Sequence, residues 1–273
     1  MIKEEKMKKF QHNEKDIFTI FSAFFYKDYP IPPVSYIHPI HAGKAISDLD
    51  LGIEGDDTGD NISAWNKNFS ELTVAYYIWK NYNAKQLPYW GLCHYRRYFS
   101  NHLHWTRIKK EYHIKDRDLA FKKIFTDKLY KEIEDNLLAG KVISPIPYRF
   151  IKLKKWSVKK QYFKDHDETS WNLTEAAINK LYPEYLESFH EMGNGLTCSW
   201  YNMLIASWSF WDGYLTFLFD ILFEVKKYLI VSEDPLQMRI FGNLSERLLN
   251  TYLRHHKKHK GLQVHYLPIV KLS

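Results

Sequence analysis

The segment Tyr89 to Phe99 joins an apolar run directly to a cluster of His, Tyr and Arg side chains. The run Tyr89 to Cys93 predicts a short buried strand. Open α/β sheets bind ligands at the carboxyl ends of their strands, so we expect His94, Arg96 and Arg97 at a ligand site. Guanidinium groups match phosphate oxygens in pairs, which favours a phosphate or diphosphate as the ligand. The alternative is a solvated strand edge whose arginines pair with nearby carboxylates.

The remaining patterns predict an α/β fold in the order strand, loop, helix, strand, followed by a largely helical second half. Ile17 to Phe24 suits a first strand, and Val142 to Pro145 predicts a later strand that ends at its proline. Tyr26 to Pro39 contains several prolines, and Leu51 to Ser63 is rich in Gly, Asp and Asn, so both predict loops. No repeat or linker divides the chain, which predicts a single domain over 1–273 with a poorly ordered tail at residues 1–15.

One helix is predicted between the second loop and the strand at Tyr89. Ser63 is a typical N-cap residue for its start, and the helix is expected to end near Asn81. Its apolar residues recur at the spacing of a buried helix face: Leu72, Ala75, Tyr76 and Trp79.

Length and composition narrow the class of protein. The chain has 273 residues and is 45% apolar, which is enough for a sizeable core. It lacks a run of about 18 apolar residues, so no transmembrane helix is predicted. The charged segment Met1 to Lys9 lacks the apolar core of a signal peptide, which predicts a cytoplasmic protein, with the inner face of the membrane as a further location. Cys93 and Cys198 are too few for a disulfide framework or a zinc cage, so both are predicted to be buried thiols.

The formal charge of +7 is distributed unevenly along the chain. Lys152 to Lys164 and Arg254 to Lys260 are basic, whereas Asp48 to Asp60 is acidic. Basic patches favour contact with an anionic membrane, and a solvated lysine-rich surface is the alternative. Nucleic acid is the weaker partner class, because no nucleic-acid-binding motif accompanies the charge. The segment Arg254 to Lys260 also contains three histidines, His255, His256 and His259. We interpret them as part of a partly frayed basic tail and not as a metal-binding tract.

The acidic loop Gly55 to Ser63 is a second candidate site. It brings Asp57, Asp60 and Asn61 close to the predicted helix start, where the carboxylates either cap the helix or hold a ligand hydroxyl or a metal. The nearby Asp48-Leu49-Asp50 does not end an evident strand, so we do not predict a metal-binding Asp-x-Asp there.

A third candidate site lies on a predicted C-terminal helix. At 100° per residue, one narrow line of this helix holds Arg239, Asn243, Glu246 and Asn250, and Gly242 beside it leaves room for a ligand. The line either forms the wet side of the helix or faces a cleft in which Glu246 acts as general base beside Arg239. The apolar side chains fall on the opposite face: Ile240, Phe241, Leu244 and Leu248.

Together these segments resemble the bacterial capsular-polysaccharide and exopolysaccharide biosynthesis proteins, a family long described as a domain of unknown function and regarded as glycosyltransferases. The matching motifs run in order from about residue 17 to residue 253: Gly55 to Ser63 with Asn66, Glu71 to Thr73, Ile78 to Asn81, Gly91 to Phe99, Tyr182 to Tyr185, Tyr201 to Ile205, and Arg239 to Leu249.

The resemblance implies a hexosyltransferase of GT-A-like, Rossmann-type α/β fold. Its substrates would be a nucleotide-sugar donor, UDP-linked and of galactose type, and a glycan or lipid-linked glycan of a surface polysaccharide as acceptor. With this reaction, we predict Glu246, His94 and Arg239 as catalytic residues. The predicted donor-binding residues are Asp57, Asp60, Asn61, Ser63, Asn66, Arg96, Arg97 and Asn202.

Two departures from the family pattern concern the donor. Phe25-Tyr26-Lys27 stands where relatives commonly carry a His-Lys pair after the first strand. No Asp-x-Asp metal ligand ends the strand at Cys93, so Arg96 and Arg97 are expected to neutralise the leaving diphosphate, and a divalent metal such as Mn²⁺ or Mg²⁺ is compatible but not required.

Two other function classes compete with the enzyme. With nine Trp and twenty Tyr, the chain has enough aromatic rings for a non-catalytic carbohydrate-binding or scaffold protein that stacks on sugars. A basic adaptor for membrane or nucleic acid is the third class. Release of nucleoside diphosphate from a nucleotide sugar separates the enzyme from the carbohydrate-binding protein.

Overall fold

The computed structural model describes residues 15–101, 109–112, 114–149, 156–235 and 237–273. Residues 1–14 of the predicted terminal tail and residues 152–155 of the basic run Lys152 to Lys164 lie outside the described residues.

Within the described part of the chain, nine strands form one mixed sheet. They are β1 Phe18–Phe24, β2 Ile37–His41, β3 Tyr89–His94, β4 Arg97–Phe99, β5 Lys109–Tyr112, β6 Val142–Pro145, β7 Leu204–Ser207, β8 Val264–Leu267 and β9 Ile269–Leu272. The order along the sheet is β5-β9-β4-β3-β7-β6-β8, and β1 pairs in parallel with β2 and β3. The predicted strands at β1, β3 and β6 are therefore present, with ends that differ by at most one residue.

β1 and β3 end at the same level of the sheet, because Ala23 pairs with His94 in the parallel register. Every residue of β1 is buried, as expected for a strand covered on both faces. The chain then turns after His94 into β4, which pairs back through Arg97. The carboxyl ends of β1 and β3 thus share one edge of the sheet with the His-Tyr-Arg cluster.

Helices of the described segments cover both faces of the sheet. They are α1 Asn66–Phe69, α2 Leu72–Asn81, α3 Arg117–Ile124, α4 Asp127–Leu138, α5 Val158–Asp165, α6 Glu168–Leu181, α7 Leu186–Asn194, α8 Trp208–Lys226 and α9 Ile240–His259. The α/β class predicted from the sequence is confirmed. The second half is largely helical, as predicted, but the sequence patterns missed β7, β8 and β9.

Side chains alternate along β3 between two cores. Trp90 and Leu92 join a large cluster with α2 and α5 to α9, whereas Cys93 joins a smaller cluster with α3 and α4 on the opposite face. Both cysteines are buried free thiols, as predicted, and burial raises the pKa of Cys93 to about 12.

The helix predicted from Ser63 to Asn81 is interrupted. Residues 63–65 form a 3₁₀ turn and α1 follows, but Ser70 has φ 52° and starts a new direction before α2. Ser63 is not an N-cap: its hydroxyl donates to Asp56 and accepts the Ala45 amide at 3.1 Å. The helix end near Asn81 is correct. The prediction failed at its start because the side chain that stabilises the turn is engaged by a distant loop.

Two boundary predictions were also wrong. The loop predicted to reach Pro39 ends earlier, because β2 starts at Ile37 and pairs through Pro39 with Ser22. Among the described strands β2 pairs only with β1, and such an edge strand tolerates a proline. The predicted frayed tail is ordered helix, since α9 continues to His259 and buried His255 stacks on Tyr185 at 3.9 Å between ring centroids.

Candidate active site

A cleft of about 910 Å³ opens where β1 and β3 end. This volume falls in the range of about 300–1,000 Å³ that is usual for small-molecule sites. The residues that line it come from the end of β1, α1 and its junction with α2, the β3–β4 turn, α5 and its end, the segment before β7, the segment before α9, and α9 itself. They are Phe25, Tyr26, Asn66, Lys67, Ser70, Glu71, His94, Tyr95, Arg96, Arg97, Gln161, Lys164, Asp165, His166, Trp200, Tyr201, Pro235, Met238, Arg239, Gly242, Asn243, Glu246 and Arg247.

The three arginines predicted for the site all reach this cleft. Arg97 lies over the Tyr201 ring, with its Cζ 4.3 Å from the centroid, and Arg96 lies 5.4 Å from the Tyr95 centroid. Arg239 Nε donates to Ser70 Oγ at 3.1 Å. The ion pairs found among the described residues involve none of the three. The alternative prediction, in which these arginines pair with nearby carboxylates at a solvated strand edge, is therefore wrong.

His94 holds the backbone of the neighbouring segment in place. Its Nε2 lies 2.6 Å from the Tyr201 carbonyl, which can only accept, so the proton is on Nε2. Burial lowers the pKa of His94, Glu71 opposes that shift, and Arg97 and Arg239 add to it. Both guanidiniums are thus close enough to act on His94 electrostatically, which places them around one part of the cleft.

The segment Tyr201 to Asn202 is the strained part of the site. Their φ angles are 78° and 52°, which are uncommon for residues with a side chain. Asn202 is buried below the cleft, where its Nδ2 donates to Glu71 Oε1 at 2.7 Å and to the Gly242 carbonyl at 3.1 Å. Such backbone strain persists only where surrounding contacts fix it, and it concentrates at functional sites.

Glu246 lies in the cleft with both carboxylate oxygens occupied. Oε1 accepts the Tyr201 amide at 2.8 Å, and Oε2 accepts from Arg247 Nη1 at 2.9 Å. Burial raises the pKa of Glu246, while the Arg247 charge and the Tyr201 hydrogen bond oppose that rise. Asn250, on the same helical line, turns away from the cleft and accepts the Ser199 amide at 2.9 Å.

The acidic loop contributes less to the cleft than the sequence predicted. Asn66 lines the cleft and donates to the Ser70 carbonyl at 2.8 Å, but Asp57, Asp60, Asn61 and Ser63 do not line it. Asp60 accepts from Tyr76 at 3.2 Å, and Asn61 Oδ1 accepts the Ser63 amide at 3.1 Å. These contacts fold the loop on itself and onto α2, and the donor-binding role of the four residues stays a prediction.

Sequence reasoning missed several residues that the fold brings into the cleft. Glu71, Tyr201 and Arg247 line it, and Glu71 is only 6% exposed. Glu71 lies within a motif of the family resemblance, but no spacing pattern assigned a role to it. Its position depends on the turn at Ser70, which local sequence did not predict.

The described residues contain no group of three or more His, Cys, Asp or Glu side chains that suits a metal ion. His256 is instead stacked on Tyr252 with 4.1 Å between ring centroids, and its Nε2 lies 3.0 Å from the Tyr185 hydroxyl. In the described chain, no helix has the length and apolar character needed to cross a membrane.

Comparison with known proteins places the chain in a family. The profile described as "Domain of unknown function (DUF4422)" matches residues 20–258. The chain belongs to the DUF4422 family. A comparison with curated proteins found no match.

The DUF4422 chain also shares its fold with a solved structure, titled as the apo structure of WbbM, a bifunctional glycosyltransferase. The TM-score is 0.80 at 24% sequence identity, and the alignment covers 94% of this chain and 45% of the WbbM chain. The DUF4422 chain therefore spans less than half the length of that neighbour. The likeness confirms the predicted fold class.

Proposed function

We propose that this DUF4422 protein is a glycosyltransferase that moves a sugar from a nucleotide diphosphate donor to a glycan. The observation that carries the proposal is the cleft at the ends of β1 and β3, where Arg96, Arg97 and Arg239, which form no ion pair within the described residues, lie together with the buried Glu71 and the half-buried Glu246. In transfer from such a donor the diphosphate leaves with growing negative charge, which prepositioned guanidiniums stabilise. A carboxylate is the group needed to accept the proton of the attacking hydroxyl.

The fold supports the same reaction class. WbbM is named as a bifunctional glycosyltransferase, and the DUF4422 chain corresponds to a portion of it. Ligands of open α/β sheets bind at the carboxyl ends of strands, which is where the arginines lie. We propose a UDP-sugar of galactose type as the donor, with Arg96 and Arg97 holding the diphosphate and Asn66 beside it.

We further propose that the acceptor is a surface or capsular glycan, free or lipid-linked, met at the inner face of the membrane. The basic end of α9 supports this location, because Lys257 and Lys260 are exposed there.

A nucleotide-sugar panel tests the reaction class. The panel contains UDP-galactose, UDP-glucose, UDP-N-acetylglucosamine and GDP-mannose, each measured by thermal shift and by release of nucleoside diphosphate, with Mn²⁺ and with EDTA. We expect a UDP-sugar to raise the melting temperature and to release UDP slowly. Binding without any release across the panel would favour a carbohydrate-binding protein. The absence of both binding and release across the panel would overturn the proposal.

A further inference from the structure

We infer that Glu71, not Glu246, is the carboxylate that removes the proton from the attacking hydroxyl. This inference rests on the proposed glycosyltransfer and assigns its base. Glu71 lies in the break between α1 and α2, directly after the left-handed Ser70, so its side chain is presented by a turn and not by a regular helix face.

Glu71 has one occupied and one available oxygen. Oε1 accepts from Asn202 Nδ2 at 2.7 Å. Among the described residues no hydrogen bond or ion pair involves Oε2, and Glu71 lines the cleft. A base must have a lone pair open to substrate, and Oε2 of Glu71 meets that requirement.

Glu246 meets it less well. Each of its oxygens already accepts one hydrogen bond, from the Tyr201 amide or from Arg247, whose side chain is 3% exposed. A proton added to Glu246 would remove the counter-charge of a buried guanidinium, and an uncompensated buried charge is strongly unfavourable. The geometry therefore makes Glu246 a positioning residue, which fixes the strained Tyr201 and orients Arg247.

Asn202 and the start of α9 hold Glu71 beside the arginines. Asn202 bridges Glu71 to the Gly242 carbonyl of α9, and Arg239 of the same helix start donates to Ser70, the residue before Glu71. A Cβ added to Gly242 would lie 3.3 Å from Ser70 Oγ, so the two elements approach closely. A carboxylate supported in this way keeps its place when substrate binds.

The step balances with these groups alone. The acceptor hydroxyl oxygen forms a bond to the anomeric carbon of the donor, and its proton moves to Glu71 Oε2. The bond between the anomeric carbon and the diphosphate oxygen breaks, and its electron pair leaves with the nucleoside diphosphate. When water replaces the acceptor, the same step gives the free sugar, so UDP release from a donor reports on Glu71.

Glu71→Gln is the matched test, because the amide oxygen of Gln can still accept from Asn202 while the base is lost. In single-turnover UDP release from the UDP-sugar that the wild type cleaves, we expect a loss of about 10²- to 10⁴-fold. Affinity for UDP, measured by calorimetry, should stay within about threefold of the wild type, equivalent to less than 1 kcal/mol. Glu246→Gln, the comparison variant, should lose less than about tenfold in rate and should melt at a lower temperature.

The opposite ranking would overturn the inference: a rate loss of about 100-fold or more in Glu246→Gln with nearly full activity in Glu71→Gln. If Glu71→Gln does not fold, Glu71→Asp decides, since it keeps the charge but withdraws the carboxylate. It should bind UDP normally and react at least about tenfold more slowly, and a wild-type rate would refute Glu71. A wild type that neither binds nor cleaves any donor refutes the proposed function itself, which is a separate result.

Discussion

Arg96 and Arg97 are neighbours in sequence but have different surroundings. Arg97 belongs to β4 and stacks on Tyr201, whereas Arg96 lies in the turn and stacks on Tyr95. The Nε atoms of both are buried without a partner among the described residues. Each guanidinium therefore packs against an aromatic ring, and its Nε donor has no partner within the described part of the chain.

Replacement of either arginine should weaken the binding of UDP. A charge-assisted hydrogen bond contributes about 1.5–3 kcal/mol, so Arg96→Ala or Arg97→Ala should raise the Kd of UDP by about 10- to 150-fold in calorimetry. Arg117→Ala is the control, because Arg117 is half-exposed on α3 and pairs only loosely with Asp118 at 3.8 Å. If both site variants bind UDP as the wild type does, these arginines do not hold the diphosphate.

At the scale of elements, Asp56 organises the loop that the sequence marked as acidic. Asp56 is fully buried and accepts the Gly43 amide at 2.9 Å, the Lys44 amide at 3.1 Å and the Ser63 hydroxyl. It thus connects the loop after β2 to the turn before α1, whose Asn66 lines the cleft.

Asp56→Asn should lower the melting temperature. The new amide directs N–H groups at backbone donors, and a buried unsatisfied pair costs about 1–3 kcal/mol, or a fall of about 2–10 °C for a domain of this size. Asp60→Asn is the matched control, because Asp60 is exposed and, among the described residues, its carboxylate accepts from Tyr76 alone. Equal melting temperatures in the two variants would contradict the role of Asp56. If Asp60→Asn loses donor affinity without a change in melting temperature, that result would support the donor contact predicted for Asp60.

The end of α9 should make the stability pH-dependent. Burial, with the charges of Lys260 and His255, lowers the pKa of His256 to about 4, from 6.5. The unfolded chain therefore binds a proton at higher pH than the fold does, so this contribution to stability is complete above pH 6.5 and is lost as the pH falls toward 4. Melting temperatures measured across this window should fall more steeply for the wild type than for His256→Gln, whose amide oxygen still accepts from Tyr185. If the melting temperatures of the two proteins fall in parallel with pH, His256 has the same pKa in the folded and the unfolded chain.

The elements that the sequence predicted well are those whose burial follows from a local pattern. β1, β3 and β6 are short apolar runs, and the polar line on α9 does face the cleft at Arg239 and Glu246. The errors arose where a distant contact decides the local structure. Ser63 is engaged by Asp56, and Glu71 reaches the cleft only because of the turn at Ser70. No periodicity in a single sequence reports such contacts.

For the whole molecule, the aromatic residues mainly build the core. Trp90, Trp171 and Trp211 are among the largest fully buried side chains, and Trp90 stacks on Trp211 at 4.1 Å between ring centroids. Their rings are unavailable to stack on sugars, which weakens the case for a pure carbohydrate-binding protein. The lysines at the end of α9, by contrast, are exposed, where partners can meet them.

Contact with an anionic membrane should depend on Lys257 and Lys260 at the end of α9. Lys258 is neutralised by Glu187 and Glu191, each 2.9 Å away, whereas Lys257 and Lys260 are exposed and outside the ion pairs of the described residues. Near an anionic surface each lysine contributes about 1 kcal/mol, so the pair is worth about 2 kcal/mol, or about 30-fold in affinity.

The double substitution Lys257→Glu with Lys260→Glu should therefore reduce the affinity for phosphatidylserine-containing vesicles, measured by co-sedimentation, by at least about 30-fold. Added salt should weaken the binding of the wild type to these vesicles. Vesicles of phosphatidylcholine alone should bind neither protein. Lys122→Glu with Lys123→Glu on α3 changes the net charge equally but lies against the opposite face of the sheet, so it separates a local patch from a general effect of charge. Equal losses in the two double variants would mean that net charge alone attracts the protein, and no loss in either would exclude this end of α9 as the membrane-facing surface.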